Sequence, residues 1–78
     1  MPTAFVFINT EPAQMLQVIE KVKAVEGVEE AKMLYGVYDI AAKVQTVTMD
    51  KLKQIITRQL RTIDNVLSTQ TLLVVQQQ

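Results

Sequence analysis

Short apolar segments alternate with longer amphipathic segments along this chain of 78 residues. Four apolar segments are too short for typical helices and long enough for strands, which predicts strands over 3–9, 28–34, 38–45 and 66–75. Between them, two segments repeat apolar residues at spacings of three and four, which is typical of amphipathic helices. The apolar positions are Met15, Val18, Ile19, Val22 and Val25 in the first predicted helix, and Leu52, Ile55, Ile56, Leu60 and Ile63 in the second.

Residues that favour helix termini mark the ends of both predicted helices. Thr10 and Thr48 offer hydroxyl N-caps, and Pro12 stands in a first turn, where its missing N–H does no harm. Gly27 and Asn65 follow the helices and are candidates for the left-handed conformation that ends a helix. The two halves of the chain therefore repeat one β-α-β unit, with Thr48 corresponding to Thr10 and Asn65 to Gly27.

The element order β-α-β-β-α-β predicts an α+β fold of the ferredoxin-like type. In this fold a four-stranded antiparallel sheet carries both helices on one face. A chain of this length forms a single domain, 1–78. We expect Gln76 to Gln78 to fray beyond the final strand.

The face of the sheet away from the helices is predicted to be partly apolar. The first strand has apolar residues on both alternations, Ala4, Val6 and Ile8 on one and Phe5 and Phe7 on the other, which predicts a strand covered on both faces. A monomer would expose part of this surface, and so short a chain has only a marginal core. We therefore expect a homodimer that packs sheet against sheet, and a larger ring of such dimers.

Composition narrows the possible function classes. Eight basic and eight acidic residues leave no net charge, which argues against a binder of nucleic acid or of anionic membranes. No apolar run has the length of a signal sequence or a membrane span, so we expect a soluble, cytoplasmic protein. The chain has no cysteine and no histidine, and its one serine, Ser68, lacks an activating base. We expect neither an enzyme nor a metal or cofactor site.

The chain is organised around the corner between the second and third predicted strands, at 35–40. Its Gly-Val-Tyr-Asp sequence at 36–39 is typical of a turn, with glycine for a positive φ and aspartate as a turn acceptor. The last strand carries hydroxyl and amide side chains over 68–71 in an otherwise apolar segment. Free backbone N–H groups and a carboxylate near such a strand would bind a zwitterion. The corner is thus either a plain hairpin or the floor of a small-molecule site.

These segments together resemble the effector-binding half of the Lrp/AsnC regulators, which is called the RAM domain. The resemblance rests on the strand 4–8, the Gly27-Val28 helix exit, the corner Tyr35-Gly36-Val37-Tyr38-Asp39-Ile40, and Val66 followed by Thr69 and Thr71. It covers nearly the whole chain in order. It implies a ferredoxin-like domain that pairs through its sheets into a dimeric α/β-barrel-like assembly, with dimers in octameric or similar rings. It also implies that an amino-acid effector binds between dimers.

The same resemblance assigns roles to residues of the corner and of the last strand. It implies that the backbone of Gly36 and Val37 binds the carboxylate of the effector, and that Asp39 binds its ammonium group. The residues expected to line the pocket are Tyr38, Thr69 and Thr71. Tyr35 stands where many relatives have a small hydroxyl residue, which implies an altered pocket.

Full-length members of that family begin with a helix-turn-helix domain, whereas this chain begins at its first predicted strand. It thus resembles the stand-alone form, which does not contact nucleic acid directly. Two roles follow: binding of an amino acid, and formation of mixed oligomers with full-length relatives. Two alternatives stay open. One is an oligomeric scaffold without a ligand. The other is an ACT-like regulatory domain, although Asn-Thr-Glu-Pro at 9–12 stands where that module usually has its glycine.

Overall fold

The structure, a computed structural model, describes residues 1–75 of the chain. Its strands are β1 (Thr3–Thr10), β2 (Val28–Met33), β3 (Ile40–Gln45) and β4 (Val66–Leu73), and its α-helices are α1 (Met15–Lys23) and α2 (Met49–Ile55). The strands form one antiparallel sheet in the order β2-β3-β1-β4. The predicted ferredoxin-like fold is therefore confirmed. The expected fraying of Gln76 to Gln78 lies outside the described residues.

The hydrophobic core lies between the two helices and one face of the sheet. Alternate residues of β1, Ala4, Val6 and Ile8, are fully buried and pair with buried residues of β3. The predicted helical stripes are also confirmed. Their buried members are Val18, Ile19 and Val22 in the first helix and Leu52, Ile55, Ile56 and Leu60 in the second. Each fully buried side chain of this size stabilises the fold by about 1.5–3 kcal/mol.

The first helix begins differently from the prediction. Thr10 is the last residue of β1 and does not cap a helix, and its hydroxyl donates to the carbonyl oxygen of Glu11 at 3.2 Å. A 3-10 turn over Pro12–Gln14 leads into α1, and no side chain caps either segment. Thr10 is instead engaged in a long-range contact, in which its N–H donates to the side chain of Asp39. The backbone of Thr10 thereby stays extended.

The predicted start of the second helix is confirmed. Thr48 has extended backbone angles, and its hydroxyl accepts a 3.1 Å hydrogen bond from the Lys51 N–H, as an N-cap does. Beyond Ile55, α2 continues as a π-helical turn over Ile56–Leu60. Gly27 and Asn65 have the predicted left-handed conformation, with φ angles of +99° and +74°. They do not end the helices, however, because the helical segments end at Lys23 and Leu60, and the two residues lie in the turns that lead into β2 and β4.

The face of the sheet away from the helices, here called the open face, is only partly apolar. Phe5, Phe7 and Leu72 lie on it, and Phe5 and Leu72 are 38% and 51% exposed. Lys43 and Glu29 lie toward the β2 side and approach each other to 3.8 Å. In a single chain the helices cover only one face of β1. Cover on both faces, through a second copy, stays a prediction.

Candidate ligand-binding site

A short loop, residues 34–39, joins β2 to β3 and is fastened at its base by three hydrogen bonds. The Leu34 N–H donates to the carbonyl oxygen of Asp39 at 2.8 Å, and the Asp39 N–H donates to that of Ile8 at 3.0 Å. The Thr10 N–H donates to Oδ2 of the half-buried Asp39 side chain, also at 2.8 Å. The strand β3 begins at Ile40, two residues later than predicted. The base of the loop is thus held against the end of β1.

The tip of the loop, in contrast, projects into solvent. Tyr35 and Val37 are exposed, and a Cβ added at Gly36 would meet no atom within 4 Å. Within residues 1–75, the backbone N–H groups of 35–38 make no hydrogen bond, and neither does Oδ1 of Asp39. Consecutive free N–H groups near a carboxylate oxygen provide donors for an anion and an acceptor for a cation.

Tyr38 packs on the open face of the sheet. Its ring lies 5.4 Å from that of Phe7, centroid to centroid, with an angle of 41° between the planes. Tilted pairs of this kind are a favourable aromatic arrangement. Phe7 pairs with Gln70 of β4, and next to it Nδ2 of Asn9 donates to Oγ of Ser68 at 3.4 Å. The polar residues of β4 that share a face with Tyr38 are therefore Ser68 and Gln70.

Thr69 and Thr71 point to the opposite face. They pair with Ile8 and Val6, whose side chains are buried under the helices. Side chains of directly paired residues lie on the same face of a sheet. Within one chain the structure thus brings together Gly36, Val37, Tyr38 and Asp39, and it leaves the two threonines on the other face, across β1.

The two threonines line a groove between β4 and the second helical segment. This groove, here called the β4 groove, has a volume of about 430 Å³. Its lining residues are Lys53, Ile56, Thr57, Arg61, Thr69, Thr71 and Leu73. The two cationic residues were not among the predicted site residues. Their signal in the sequence is the spacing of Lys53, Thr57 and Arg61, which places them on one side of a helix.

A second depression lies at the other end of the sheet. It has a volume of about 470 Å³ and a mainly apolar surface, and Gly27, Thr46, Val47 and Ile55 contribute to its lining. Thr46 follows β3, and its N–H donates to the carbonyl oxygen of Pro2, before the start of β1. This depression is thus remote from the 34–39 loop.

The residues that the structure describes contain neither a metal-binding cluster nor a membrane-spanning helix. No group of three or more histidine, cysteine, aspartate or glutamate side chains in 1–75 is arranged to hold a metal ion. Over the same residues, no helix is long and apolar enough to cross a membrane.

Comparison with known proteins links this fold to a family. The model of the Lrp/AsnC ligand binding domain family matches residues 3–78. The HTH-type transcriptional regulator PYRAB01370 of Pyrococcus abyssi is 31% identical over 68 residues, a match that covers 87% of this chain and 43% of that regulator. The chain thus spans less than half the length of that relative.

Solved structures agree with this assignment. The protein TTHA0845 from Thermus thermophilus superposes with a TM-score of 0.94 at 27% identity, with coverage of 100% of this chain and 98% of that one. AsnC of E. coli superposes with a TM-score of 0.89 at 28% identity, over 97% of this chain and 52% of that one. The family is one of transcription regulators, so the prediction that the chain is not an enzyme is confirmed at this level. The chain belongs to the Lrp/AsnC family, in which it corresponds to the ligand-binding domain.

Proposed function

We propose that this chain is an amino-acid-sensing regulatory domain whose effector binds at the 34–39 loop, at an interface between copies. One observation carries the proposal. Within residues 1–75, neither the backbone N–H groups of 35–38 nor Oδ1 of Asp39, all in this one loop, form a hydrogen bond. An α-amino acid presents a carboxylate and an ammonium group a few bonds apart, and these donors and this acceptor complement both.

Each predicted residue of the loop has a role in this proposal. The N–H groups of Gly36 and Val37 bind the carboxylate of the effector, and Oδ1 of Asp39 accepts from its ammonium group. Tyr38, held by Phe7, gives the effector side chain an aromatic surface. Two more distant proteins of the same fold support the ligand class. They are the regulators NMB0573 of Neisseria meningitidis and Rv3291c of M. tuberculosis, solved with L-methionine, at 17% and 23% identity and TM-scores of 0.82 and 0.79.

Assembly follows from the position of the remaining residues. Thr69 and Thr71 lie on the face opposite Tyr38, so in this proposal they reach the effector from another copy. The exposed apolar residues of the open face, Phe5 and Leu72, support a homodimer that packs sheet against sheet. A ring of such dimers, octameric or similar, would then bring the 34–39 loop of one dimer to the β4 groove of the next.

The second part of the proposal concerns partners. The HTH-type regulator of P. abyssi aligns with this chain over only 43% of its length. We propose that this chain joins such regulators in mixed oligomers and modulates their action, and that it does not bind nucleic acid itself. Its zero net charge supports the last point. Co-purification with a co-expressed helix-turn-helix relative tests the pairing, and separate elution of the two proteins at micromolar concentration would contradict it.

Calorimetric titration of the intact chain with each proteinogenic amino acid tests the sensing role. We expect one amino acid, or a small group with similar side chains, to bind. The Asp39→Asn variant should bind at least about tenfold more weakly, because a hydrogen bond to a charged group is lost. The matched control is Asp64→Asn, at an exposed carboxylate outside the site. If no amino acid binds at millimolar concentration, the sensing role is contradicted, and the alternative function, an oligomeric scaffold that binds no ligand, is favoured.

A further inference from the structure

The β4 groove carries positive charge that no residue of the same chain neutralises. Lys53 and Arg61 line the groove, and no acidic residue does. Arg61 also lines an adjoining depression of about 320 Å³ at the start of β4, again without an acidic residue. Neither cation takes part in an ion pair within residues 1–75. The groove therefore offers two cations to an anion that comes from outside the chain.

A π-helical turn helps to place the two cations on the same side of the second helical segment. In a regular α-helix, residues at the spacing of Lys53 and Arg61 stand about 80° apart around the axis. The segment Ile56–Leu60 is π-helical instead, and the Arg61 N–H donates to the carbonyl oxygen of Ile56 at 3.0 Å, rather than to that of the residue four positions back. A π-helical turn contains more residues than an α-helical one, so it reduces this angular offset. Both cations therefore reach the groove.

The groove also presents hydroxyl groups to a ligand. The side chains of Thr69 and Thr71 line it, and neither hydroxyl makes a hydrogen bond within residues 1–75. The Thr57 hydroxyl, in contrast, is already engaged, because it donates to the carbonyl oxygen of Lys53 at 2.8 Å. Hydroxyl, ammonium and guanidinium groups all donate hydrogen bonds to carboxylate oxygens. The composition of the groove thus suits a carboxylate.

We propose that the effector is an amino acid with an acidic side chain, glutamate or aspartate, and that Lys53 and Arg61 determine this specificity. The inference rests on the proposed function, in which the 34–39 loop of one dimer meets the β4 groove of the next. The loop binds the α-carboxylate and the α-ammonium group, which are common to nearly all amino acids, and the groove binds the side-chain carboxylate. The methylene groups of the side chain lie against the Tyr38 ring.

Charge balance favours an acidic effector over the other classes of amino acid. Asp39 supplies one negative charge to the shared site, and Lys53 and Arg61 supply two positive charges. Glutamate and aspartate carry one net negative charge and neutralise the excess. A neutral amino acid would leave one cation without a partner when the site loses water, and lysine or arginine would bring in a third cation.

Calorimetric titration of the intact chain tests the proposed class of effector. Glutamate and glutamine have nearly the same shape and differ in side-chain charge, as do aspartate and asparagine, and leucine and lysine represent the apolar and basic classes. We expect an acidic amino acid to bind about tenfold or more tightly than its amide, and leucine and lysine to bind more weakly still. If an amide, leucine or lysine binds as tightly as the acidic amino acids, the inference is overturned and the sensing role stands. If no amino acid binds, the proposed function fails as well.

Lys53→Gln combined with Arg61→Gln tests the two cations directly. This double variant should bind the acidic amino acid about tenfold or more weakly, whereas its affinity for the amide should change by less than about threefold. The matched control, Lys21→Gln combined with Lys23→Gln, removes two exposed charges of α1 and should keep the preference for the acidic amino acid. Equal losses in the two double variants would show that net charge governs binding. A parallel loss of acidic and amide binding would show that the cations act on structure, and either result would refute the inference.

Co-expression of two variants tests whether loop and groove act together across copies. Asp39→Asn alters the loop, and the Lys53→Gln, Arg61→Gln double variant alters the groove, so neither protein alone forms an unaltered site. In an assembly that contains both chains, an unaltered loop meets an unaltered groove at about a quarter of the interfaces, and binding of the acidic amino acid should return there. Different affinity tags on the two chains allow tandem purification of the mixed assembly. Mixed assemblies without recovered binding would show that loop and groove do not share a ligand, and would overturn the inference.

Discussion

The Thr10 N–H donates a 2.8 Å hydrogen bond to Oδ2 of Asp39, and this contact ties the end of β1 to the loop between β2 and β3. One carboxylate therefore serves two purposes in our account. Oδ2 holds the loop in place, and Oδ1 is the atom that we propose for the ammonium group of an effector. Variants of Asp39 consequently act on stability and on binding, and the two effects need separate measurements.

Asp39→Ala should lower the free energy of unfolding by about 1–3 kcal/mol, because it leaves the partly buried Thr10 N–H without its acceptor. Asp39→Asn should cost less than half as much, since the amide oxygen still accepts that bond. Urea denaturation followed by circular dichroism measures both. Asp64→Ala, at an exposed position, is the control and should stay within about 0.5 kcal/mol of the parent. Equal losses for the alanine and asparagine variants at position 39 would argue against the hydrogen bond.

Gly27→Ala should destabilise the chain by about 1–3 kcal/mol. An added Cβ would lie 2.9 Å from Cδ1 of Ile55, and the φ of +99° at this position is unfavourable for any residue with a Cβ. Because Ile55→Val removes the clashing atom, the double variant should lose less stability than the two single variants together. Thermal unfolding of the four proteins gives this coupling, and strict additivity would show that the clash contributes nothing.

Thr48→Ala should lower the free energy of unfolding by about 1 kcal/mol, since it removes the acceptor for the Lys51 N–H at the start of α2. Thr62→Ala is the matched control. The Thr62 hydroxyl is exposed and bonds only to the carbonyl oxygen of Arg58, one turn back, so we expect little change. Chemical denaturation of both variants measures the difference. A loss of unfolding free energy of similar size in the Thr62→Ala control would contradict the capping role of Thr48.

Leu72→Lys should convert a dimer, or a larger assembly, into monomers. Leu72 is 51% exposed on the open face, and a charge there would have to be buried unpaired between packed sheets. Leu16→Lys is the control, because Leu16 is 68% exposed on α1 and outside that face. Light scattering at micromolar concentration measures the mass. A parent protein that is already monomeric under these conditions would contradict sheet-to-sheet packing.

The sequence by itself determines the elements and the fold. The stripes of both helices and the left-handed residues Gly27 and Asn65 depend on spacing and on backbone preferences within a few residues. The Thr48 cap likewise involves a partner only three residues away. Such short-range features are readable without knowing what packs against them, and their order suffices for the ferredoxin-like arrangement and the family resemblance.

Only the tertiary structure decided what Thr10, Asp39 and the last strand do. Thr10 resembles a helix cap in sequence, but its N–H bonds to Asp39, which lies 29 positions along the chain. The faces of Thr69 and Thr71 depend on the register of β4 with β1, and a slip of one residue would exchange their face with that of Ser68 and Gln70. Register between strands so far apart in sequence is set by packing of the whole core, which the local pattern does not contain. For this reason the corner of the chain is predictable as a candidate site, whereas its separation from the two threonines is not.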